Sequence, residues 1–405
     1  MSAEFEALVD QGTWTLVPPH PTQNLLGCKW LYKSKFNLDG TFTRHKARLV
    51  AQGFKQEFGI DYTYTFSPSK ADPALFLYHK EQTQLYLLAY VDDLLLTGND
   101  QIEIEKLLTN LNSQFRMRNL GTVSHFLGIQ VIPYSTGLLL SQSRYITEIL
   151  NKAGMLDCKP ALSPLSTKLP IPSHESQLYP HPQLYKQLVG SLQYVTITRP
   201  DVAYAVNYLC QHMHQPYLLH FQHLQRVLRY LKGTTHYAFP IISSTLNLRA
   251  FADFDWAANV QDCRSISGFC TFLGDNLLSW SVKKQPTVAH SSTEAEYRAL
   301  ATLASDILWL RQLLADFMIL TPQPTPIFCD NVSTIALANN PVFHARTKHI
   351  EVDYHFIRDC IKGQHVTVHH IASHDQIADI FTKSLSASRY QLLRSKLTIL
   401  EPSSP

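Results

Sequence analysis

The sequence of 405 residues contains no long apolar run. No stretch approaches the ~18–20 consecutive apolar residues that a membrane-spanning helix needs. The first residues also lack a basic stretch followed by an apolar one, which is the pattern of a secretory leader. We therefore expect an intracellular protein, cytoplasmic or nuclear, that has no membrane partner.

Cysteine is sparse and is not arranged in metal-binding pairs. The seven cysteines are widely spaced, and no Cys-x-x-Cys occurs. An odd number of scattered cysteines predicts neither a disulfide framework nor a zinc knuckle. His369, His370 and His374 have no cysteine nearby and match no strong zinc pattern. These absences favour a reducing compartment and argue against a structural zinc site.

Charge is modest overall but uneven along the chain. The net charge of +3 is too small by itself to indicate a nucleic-acid partner. Cations and aromatic residues nevertheless alternate on both sides of the turn-like sequence Asn37–Gly40, which predicts a β-hairpin. The basic positions are Lys29, Lys33, Lys35, Arg44, His45, Lys46, Arg48 and Lys55. Composition leaves two interpretations open, a solvated strand face or a surface that contacts nucleic-acid phosphates.

An alternating run later in the chain predicts a strand that carries a carboxylate. From Leu246 to Asp253 the side chains change faces at every residue, which is typical of a β-strand. Two more strand-like runs, 265–273 and 277–282, flank Gly274-Asp275-Asn276, the composition of a short hairpin loop. The sequence therefore predicts a three-stranded meander with Asp253 on its first strand.

An amphipathic helix is predicted to begin at Ser291. At about 100° per residue its apolar face comprises Leu303, Ile307, Leu310 and Leu314. Glu296 falls on that same face. Glu294 points elsewhere and forms the Ser-x-x-Glu pattern of a capping box with Ser291. We therefore expect Glu294 to cap the helix and Glu296 to face the sheet that carries Asp253.

Two later aspartates fit the same arrangement. Asp330 ends a short apolar run that begins at Pro326, as expected for a group at the carboxyl end of a buried strand. Asp379 follows the strand-like run 365–371 and is predicted to start a helix. Converging carboxylates repel one another unless divalent cations lie among them, and oxygen-only ligands suit Mg²⁺ or Mn²⁺. The pattern thus predicts a metal site.

Six ordered motifs between residues 251 and 383 carry a family resemblance. They are FADFDWA at 251–257, RSISG at 264–268, SSTEAEY at 291–297, CDN at 329–331, KHI at 348–350 and ADIFTK at 378–383. Together they resemble the ribonuclease H domain of copia-type LTR retrotransposon polyproteins. The resemblance implies two metal ions held by Asp253, Glu296, Asp330 and Asp379, with an RNA–DNA hybrid as substrate.

The preceding residues resemble the reverse transcriptase of the same polyproteins. HKARLVA at 45–51 matches the fingers region, whose basic face is implied to contact template or primer phosphates. The tetrad YVDD at 90–93 follows an apolar run and matches the polymerase motif of reverse transcriptases. An Asp-Asp pair in a turn is often only a solvated turn. The resemblance instead identifies Asp92 and Asp93 as a remnant of a polymerase metal site.

A part of the polymerase is expected to be missing. Only about 20 residues separate Lys70 from Tyr90, whereas in the family this interval is long and contains the first catalytic aspartate. A two-metal polymerase site needs that further carboxylate. Asp72 precedes Pro73 and has no strand to carry it, so it does not replace the missing ligand. We expect an internal deletion, in the gene or in its gene model, and loss of polymerase activity.

The resemblance also implies an order of domains. A Pro- and Ser-rich stretch at 158–182 precedes three predicted helices, 184–196, 201–214 and 217–231, that resemble a thumb and connection. We expect a truncated reverse transcriptase (fingers and palm remnant) at 1–157, a linker and helical thumb or connection at 158–245, a ribonuclease H-like domain at 246–385, and a C-terminal helix and tail at 386–405. The chain from about Asn247 onward is expected to fold alone.

The predicted fold class is α+β and α/β: a truncated palm-fingers reverse transcriptase fold, a helical connection, then a ribonuclease H-like mixed sheet with flanking helices. The predicted function is magnesium-dependent endonucleolytic hydrolysis of RNA in hybrids. The alternative is a non-catalytic nucleic-acid-binding relic of a transposable element, because a palm that lacks strands exposes apolar surface and unpaired edges. Retention of all four carboxylates favours the enzyme. The sequence does not decide which of the three histidines near Asp379 assists product release, nor the oligomeric state.

Overall fold

The computed structural model describes residues 28–36, 42–51, 67–91, 93–115, 117–170, 176–257, 262–339 and 351–399, of which 31–36, 42–51 and 67–68 are described by their backbone alone. The chain divides into two compact units. The first comprises residues up to 68 with 75–88 and 96–111, and the second comprises 69–74, 89–95 and the chain from 112 onward. Among the described residues, no helix combines the length and the apolar character needed to cross a membrane.

The first unit begins with an antiparallel hairpin. Its strands are β1 (Cys28–Phe36) and β2 (Phe42–Ala51). This confirms the two strands predicted around the turn at 37–40, although the turn itself lies outside the described residues. The backbone register sets Lys33 opposite Lys46 and Lys35 opposite Arg44. Basic positions from both strands are therefore direct cross-strand neighbours.

A second sheet in this region has the strand order β3-β4-β5-β6. The strands are β3 (Ser67–Pro68), β4 (Leu75–Lys80), β5 (Thr83–Tyr90) and β6 (Asp93–Gly98), followed by helix α1 (Gln101–Gln114). None of the residues of this helix is buried, so its apolar side chains are only partly covered.

In the described part of residues 117–242, the second unit contains a four-stranded sheet and four α-helices. The sheet order is β10-β9-β8-β7, and its strands are β7 (His125–Phe126), β8 (Ile129–Tyr134), β9 (Gly137–Ser141) and β10 (Phe239–Ile242). The helices are α2 (Ser143–Lys152), α3 (Pro182–Val195), α4 (Ala203–Cys210) and α5 (Leu218–Gly233). A 3-10 helix, Pro200–Val202, precedes α4. The three predicted helices after residue 182 are therefore confirmed, each within a few residues of its predicted ends.

The C-terminal part contains a five-stranded mixed sheet. Its order is β13-β12-β11-β14-β15, and its strands are β11 (Leu248–Asp255), β12 (Ile266–Leu273), β13 (Asn276–Lys284), β14 (Thr325–Cys329) and β15 (Val366–His370). β11 to β13 are antiparallel, whereas β11, β14 and β15 are parallel. The flanking helices are α6 (Ser292–Asp316), α7 (Val332–Asn339), α8 (Glu351–Lys362) and α9 (Ala387–Lys396), with a 3-10 helix at Ile377–Phe381. The predicted mixed sheet with flanking helices is confirmed.

The two faces of this sheet belong to different hydrophobic cores. Ala250 and Ala252 pack with Leu300 and Ile357 from α6 and α8. On the other face, Phe251 lies in a continuous core that extends from the strands and α9 to α2 and the helices of residues 182–233. Side chains alternate along a strand, so each face needs its own cover. The second face finds that cover in the helical segment.

Two apolar residues of the Pro- and Ser-rich stretch lie in the packed structure. Leu165 and Tyr179 are buried in the core that includes Phe251. The linker at 158–182 and the independent folding of the chain from about Asn247 onward stay predictions.

A buried polar network joins the helical segment to the C-terminal helix. The guanidinium of Arg199 donates to both carboxylate oxygens of Asp201, at 3.0 and 2.8 Å. The hydroxyl of Tyr230 donates to Oδ2 of Asp201 at 2.6 Å, and that of Tyr390 donates to the Asp201 carbonyl at 3.0 Å. All four residues are buried, and the ion pair is satisfied on every side, as a buried charge pair requires.

Candidate active site

Asp253 lies near the end of β11, where residues 381 and 382 pack unusually close to the neighbouring strand β12. Its cross-strand partner on β12 is Gly268. A Cβ atom at Gly268 would lie 2.7 Å from Cβ of Phe381 and 2.7 Å from Cγ2 of Thr382, closer than real contacts allow. The glycine therefore lets the 3-10 helix that carries Asp379 pack against the strand that carries Asp253.

Asp253 is buried but has cationic and hydroxyl partners. The Thr382 hydroxyl donates a hydrogen bond to Oδ2. Nζ of Lys383 lies 3.2 Å from each carboxylate oxygen. Burial raises the pKa of Asp253 to about 7; Lys383 opposes this rise and the charge of Asp379 adds to it. The carboxyl group therefore titrates near neutrality, which is unusual for an aspartate.

Asp379 lies within the 3-10 helix and not at the start of an α-helix as predicted. Its Oδ1 is 2.9 Å from Nζ of Lys383, and its Oδ2 is 3.2 Å from Nη2 of Arg389 on α9. The buried Gln376 caps this helix, because Oε1 accepts a hydrogen bond from the Ala378 N–H while Nε2 donates to the carbonyl of Ala252. The Gln376 side chain thus ties the Asp379 segment directly to β11.

Glu296 is fully buried on the inner face of α6, as its position on the helix predicts. Neither carboxylate oxygen has a hydrogen-bond partner among the described residues. The Cys329 thiol lies nearby, but its hydrogen bond is directed to the carbonyl of Asn331 at 3.9 Å. Burial raises the pKa of Glu296 to about 9, and the charges of Asp253 and Asp330 raise it further. A raised pKa favours the neutral form of a carboxyl group, and a bound cation would oppose this rise.

Glu294 has a different environment two residues away. Its backbone N–H donates to Oγ of Ser291 at 3.1 Å, which confirms the predicted cap. The return bond of the box differs from the prediction, because Glu294 Oε2 accepts from the N–H of His290 at 2.8 Å. Its other oxygen pairs with Arg298 at 2.8 Å. Glu294 is therefore fully occupied in holding the start of the helix.

Asp330 follows the last residue of β14, as predicted. Its Oδ2 accepts a hydrogen bond from the Ser373 hydroxyl at 2.8 Å. Its charge contributes to the raised pKa of both Glu296 and Asp253. The four predicted carboxylates therefore lie within electrostatic range of one another, although they come from positions up to 126 residues apart in the sequence.

The carboxylates suit a divalent metal in the chemistry of their ligand atoms. Their ligand atoms are all oxygen, and Glu296 has two buried oxygens that lack a partner in the described part of the chain. The ammonium group of Lys383 lies between Asp253 and Asp379 and neutralises part of their charge. As they stand, however, no three acidic, histidine or cysteine residues of the described ranges are placed to hold one ion together. Metal loading would therefore require movement of Lys383, which is about one third exposed.

The other predicted sites are only partly visible. Asp92 lies outside the described residues, and Asp93 is exposed at the start of β6. Of the eight basic positions around the hairpin, Lys29 is exposed. The side chains of Lys33, Lys35, Arg44, His45, Lys46 and Arg48 are not among those described, and Lys55 lies outside the described residues. The His369 ring lies 3.0 Å from the Thr367 hydroxyl, and the His374 ring lies 3.1 Å from Asp375.

Sequence reasoning assigned no role to several neighbours of the site. Lys383 lies within the motif ADIFTK, so its closeness to Asp379 in sequence was a usable signal. Asp255 lies two residues after Asp253 on the same strand face, and burial raises its pKa. Arg389 and Gln376 gave no comparable signal, because their contacts with this site arise only from the packing of α9 and the 3-10 helix.

Comparison with known families identifies two parts of the chain as polymerase. The family described as "Reverse transcriptase (RNA-dependent DNA polymerase)" matches residues 11–72 and 69–167. The two matched segments meet next to Lys70. The Pol polyprotein of transposon RE1 from Arabidopsis thaliana is 35% identical over 489 aligned positions, which cover 98% of this chain and 33% of that protein. Because this chain has only 405 residues, at least 84 of those positions (489 less 405) have no residue here. Both findings agree with an internal deletion near Lys70.

Other similarities cover smaller parts of the chain. The mitochondrial protein AtMg00810 from Arabidopsis thaliana is 53% identical over 226 residues, 56% of this chain and 94% of that protein. The crystal structure of RNase H1 from Halobacterium salinarum NRC-1 matches 34% of this chain and 94% of its own, at 14% identity and a TM-score of 0.26, values too low to support any argument. The chain spans about a third of the length of the transposon RE1 protein. Nearly the whole length of this chain aligns with part of that protein, and two of its segments match the reverse transcriptase family. The chain therefore belongs to the family of retrovirus-related Pol polyproteins of copia-type transposons.

Proposed function

We propose that this chain hydrolyses the RNA strand of RNA–DNA hybrids by metal-dependent ribonuclease H chemistry. The observation that carries the proposal is the environment of Glu296. Its buried carboxyl group has no hydrogen-bond partner in the described ranges and lies in the field of Asp253 and Asp330. Burying an unsatisfied acid costs stability, and such groups are concentrated at functional sites. The site residues of the proposal are Asp253, Glu296, Asp330 and Asp379.

Two Mg²⁺ or Mn²⁺ ions, when bound, would supply an activated water and stabilise the leaving oxygen of the scissile phosphodiester. Asp253 would offer carboxylate oxygens from near the end of β11. Asp379 would offer them from the 3-10 helix, which packs closely against the sheet because Gly268 has no side chain. Glu296 offers two more from α6, and Asp330 contributes from the end of β14. Each of the four is anchored on a different element, so the shape of the site depends on the packing of the sheet, α6 and the 3-10 helix.

Lys383 and Arg389 have supporting roles in this proposal. Lys383 neutralises part of the charge of Asp253 and Asp379 in the metal-free protein and would have to yield to a divalent cation held by the same two carboxylates. Arg389 holds Oδ2 of Asp379 and also donates to the carbonyl groups of Ser373 and His374, so it fixes the loop that carries Asp330's partner Ser373. His374 is exposed in this loop, and its role in product release stays a proposal.

The polymerase activity of the ancestral domain is proposed to be lost. At least 84 aligned positions of the transposon RE1 protein have no residue in this chain. A two-metal polymerase site needs a carboxylate beyond the pair at the hairpin, and the missing interval is where the family carries it. The partly covered face of α1 supports this proposal, since a complete palm would be expected to bury it.

The remaining parts have proposed roles in binding. The β1–β2 hairpin would contact nucleic-acid phosphates through its basic positions, with an affinity that falls as salt is added. The hybrid would be recognised by backbone shape and 2′-hydroxyl groups, not by base sequence. We also propose that domains end at residues 157, 245 and 385. A cytoplasmic or nuclear location is proposed as well.

A non-catalytic relic that only binds nucleic acid is the second candidate. It is favoured by apolar side chains that remain exposed near the palm remnant. Tyr90, Val91 and Leu120 are 53%, 68% and 77% exposed. A chain that exposes such residues is prone to association and need not retain activity.

A cleavage assay on a labelled RNA–DNA duplex with the full chain decides between the two. The proposal expects Mg²⁺-dependent endonucleolytic products that vanish with chelator and in Asp253→Asn. Duplex RNA and duplex DNA serve as substrates that should stay intact. Binding without any cleavage, by protein whose fold is verified by circular dichroism, would favour the relic.

A further inference from the structure

The segment between β3 and β4 packs on the last turns of α6, which belongs to the same compact unit. The Ser69 hydroxyl donates to Oδ2 of Asp316 at 2.6 Å. The backbone N–H groups of Lys70 and Ala71 donate to the same oxygen at 3.0 and 3.3 Å. The indole N–H of Trp309 donates to the carbonyl of Ala71 at 3.0 Å. Four hydrogen bonds therefore join this segment to one face of the helix.

The segment is a turn that its own side chains stabilise. Oγ of Ser69 accepts from the N–H groups of Ala71 and Asp72 at 3.0 and 3.1 Å. Oδ1 of Asp72 accepts from the N–H group of Ala74 at 2.9 Å. Such bonds from side chain to nearby backbone fix a turn without a strand or helix around it. Successive backbone N–H groups that point to one side form a concavity that suits an anion. The turn thus presents N–H groups to a carboxylate.

The helix side of the contact is placed where it needs these donors. Asp316 is the last residue of α6, and the last turn of this helix has no basic residue. A carboxylate is unfavourable there, because the carbonyl groups make the carboxyl end of a helix partly negative. Burial acts to raise the pKa of Asp316, but hydrogen bonds from Ser69, Gln312 and the turn hold it below its ordinary value. Trp309, Gln312 and Asp316 share one side of the helix, and we call them the turn-binding face.

The turn coincides with the place where the two matches to the reverse transcriptase family overlap. Those matches cover residues 11–72 and 69–167, so residues 69–72 belong to both. In this chain Lys70 is joined directly to Ala71, where the proposed missing interval would lie. A chain that contained the interval at this position would separate Ser69 from the N–H groups that its hydroxyl oxygen accepts. The local turn therefore depends on the direct linkage.

We propose that the turn-binding face recognises the turn at residues 69–72, and that loss of the interval created this turn. The partner is thus a segment of the same chain, a serine-initiated turn that presents backbone N–H groups to a carboxylate. The contact fixes the joined chain on α6 and shields the peptide bond after Lys70. The inference rests on the proposed missing interval. It is independent of nuclease activity, because no residue of this contact belongs to the carboxylate site.

Limited proteolysis of the full chain with trypsin tests the recognition. The Lys70 side chain is exposed, but cleavage after it requires the docked backbone to open. The measured quantity is the rate of cleavage after Lys70 divided by the rate after Lys106, an exposed residue of α1, so that general loosening cancels. Asp316→Ala should raise this ratio at least about tenfold, because three hydrogen bonds to a charged group are lost. Asp359→Ala, at an exposed position of α8, is the matched control and should leave the ratio unchanged.

A chain with two glycines inserted between Lys70 and Ala71 tests the direct linkage. The insertion keeps every side chain but separates Ser69 from the N–H groups that its oxygen accepts. The cleavage ratio should rise as it does in Asp316→Ala. Adding Asp316→Ala to the insertion should cause no further rise, because both changes remove the same contact. An unchanged ratio in either single variant, or a further rise in the combined one, would overturn the proposal.

Discussion

Nζ of Lys383 lies 3.2 Å from both carboxylate oxygens of Asp253, although the two residues are 130 positions apart in the sequence. The ion pair raises the pKa of Lys383 despite burial that alone would lower it, because Asp253 and Asp379 are both negative. A positive group therefore occupies the place where the proposed metal site needs positive charge.

This relationship predicts the behaviour of Lys383→Gln. Without the ammonium, Asp253 and Asp379 lose their neutralising partner, so the metal-free protein should be destabilised by about 1–3 kcal/mol. Added Mg²⁺ should then raise the melting temperature more in the variant than in the parent chain, because no ammonium has to leave. Thermal unfolding with and without Mg²⁺ measures both effects. Equal Mg²⁺ shifts in the two proteins would show that Lys383 does not compete with metal. Lys396→Gln, which removes an exposed pair with Asp375, is the matched control.

Glu296 and Glu294 should separate catalysis from stability. Glu296→Gln removes a carboxylate of the proposed metal site, so we expect hybrid cleavage to fall by at least about 100-fold, as for the loss of a key electrostatic group. Glu294→Gln disturbs the helix start and should lower the free energy of unfolding by about 1 kcal/mol while cleavage persists. Initial cleavage rates and urea denaturation of both variants provide the comparison. Equal loss of activity in two well-folded variants would remove the distinction.

Templated DNA synthesis is expected to be absent. Asp93 is exposed at the start of β6, and we propose that the interval that carries the first catalytic aspartate in the family is missing from this chain. Primer extension on a primed RNA template with Mg²⁺ and all four deoxynucleotides should yield no product. Synthesis that disappears in Asp93→Asn would contradict this prediction.

The buried pair of Arg199 and Asp201 should be essential for stability. Asp201→Asn leaves the guanidinium of Arg199 buried without a counter-charge, which typically costs about 3–5 kcal/mol. Arg144→Gln, which breaks an exposed pair with Glu148, should cost less than about 0.5 kcal/mol. Chemical denaturation of both variants measures the difference. A cost for Asp201→Asn no larger than that of the control would mean that the network is dispensable.

The same packing predicts that a fragment of residues 247–405 is less stable than one of residues 117–405. The shorter fragment uncovers the face of the sheet that carries Phe251 and removes the partners of Tyr390. Its unfolding midpoint in urea should be lower and its tendency to aggregate higher. Equal midpoints would show that the sheet and its own helices are self-sufficient.

A buried histidine cluster should lose its stabilising contribution in mild acid. The rings of His212 and His220 are stacked 3.7 Å apart, and burial lowers their pKa values to about 4 and about 3. In the unfolded chain these groups take up protons near pH 6.5, so their contribution is intact above that pH and is lost as the pH falls toward the folded values. The raised pKa values of Asp253 and Glu296 act in the opposite direction, so the test compares the parent chain with a variant of the cluster at each pH. His212→Phe keeps a ring in place, and its denaturation midpoint relative to the parent should be higher at pH 5 than at pH 7.5; a difference that does not change with pH would exclude His212 as a cause.

The sequence by itself determined the identity of the elements around the site. The period of two in residues 246–253 predicted the strand with Asp253, and the period of the helix separated Glu296 from Glu294, because these patterns depend only on local geometry. The motifs also predict a missing interval near Lys70. What such patterns report is which residues share a face of one element.

Only the tertiary structure decided which distant residues contact the predicted faces of these helices and strands. The shared core with the helical segment, the contact of Lys383 with Asp253 and the network around Asp201 join residues that are far apart in sequence, and no local period encodes them. The same is true of the 3-10 helix at Asp379, whose approach depends on the missing side chain of Gly268. Packing against distant segments sets the burial of Glu296 and the pKa values around it, because desolvation depends on every atom that replaces water.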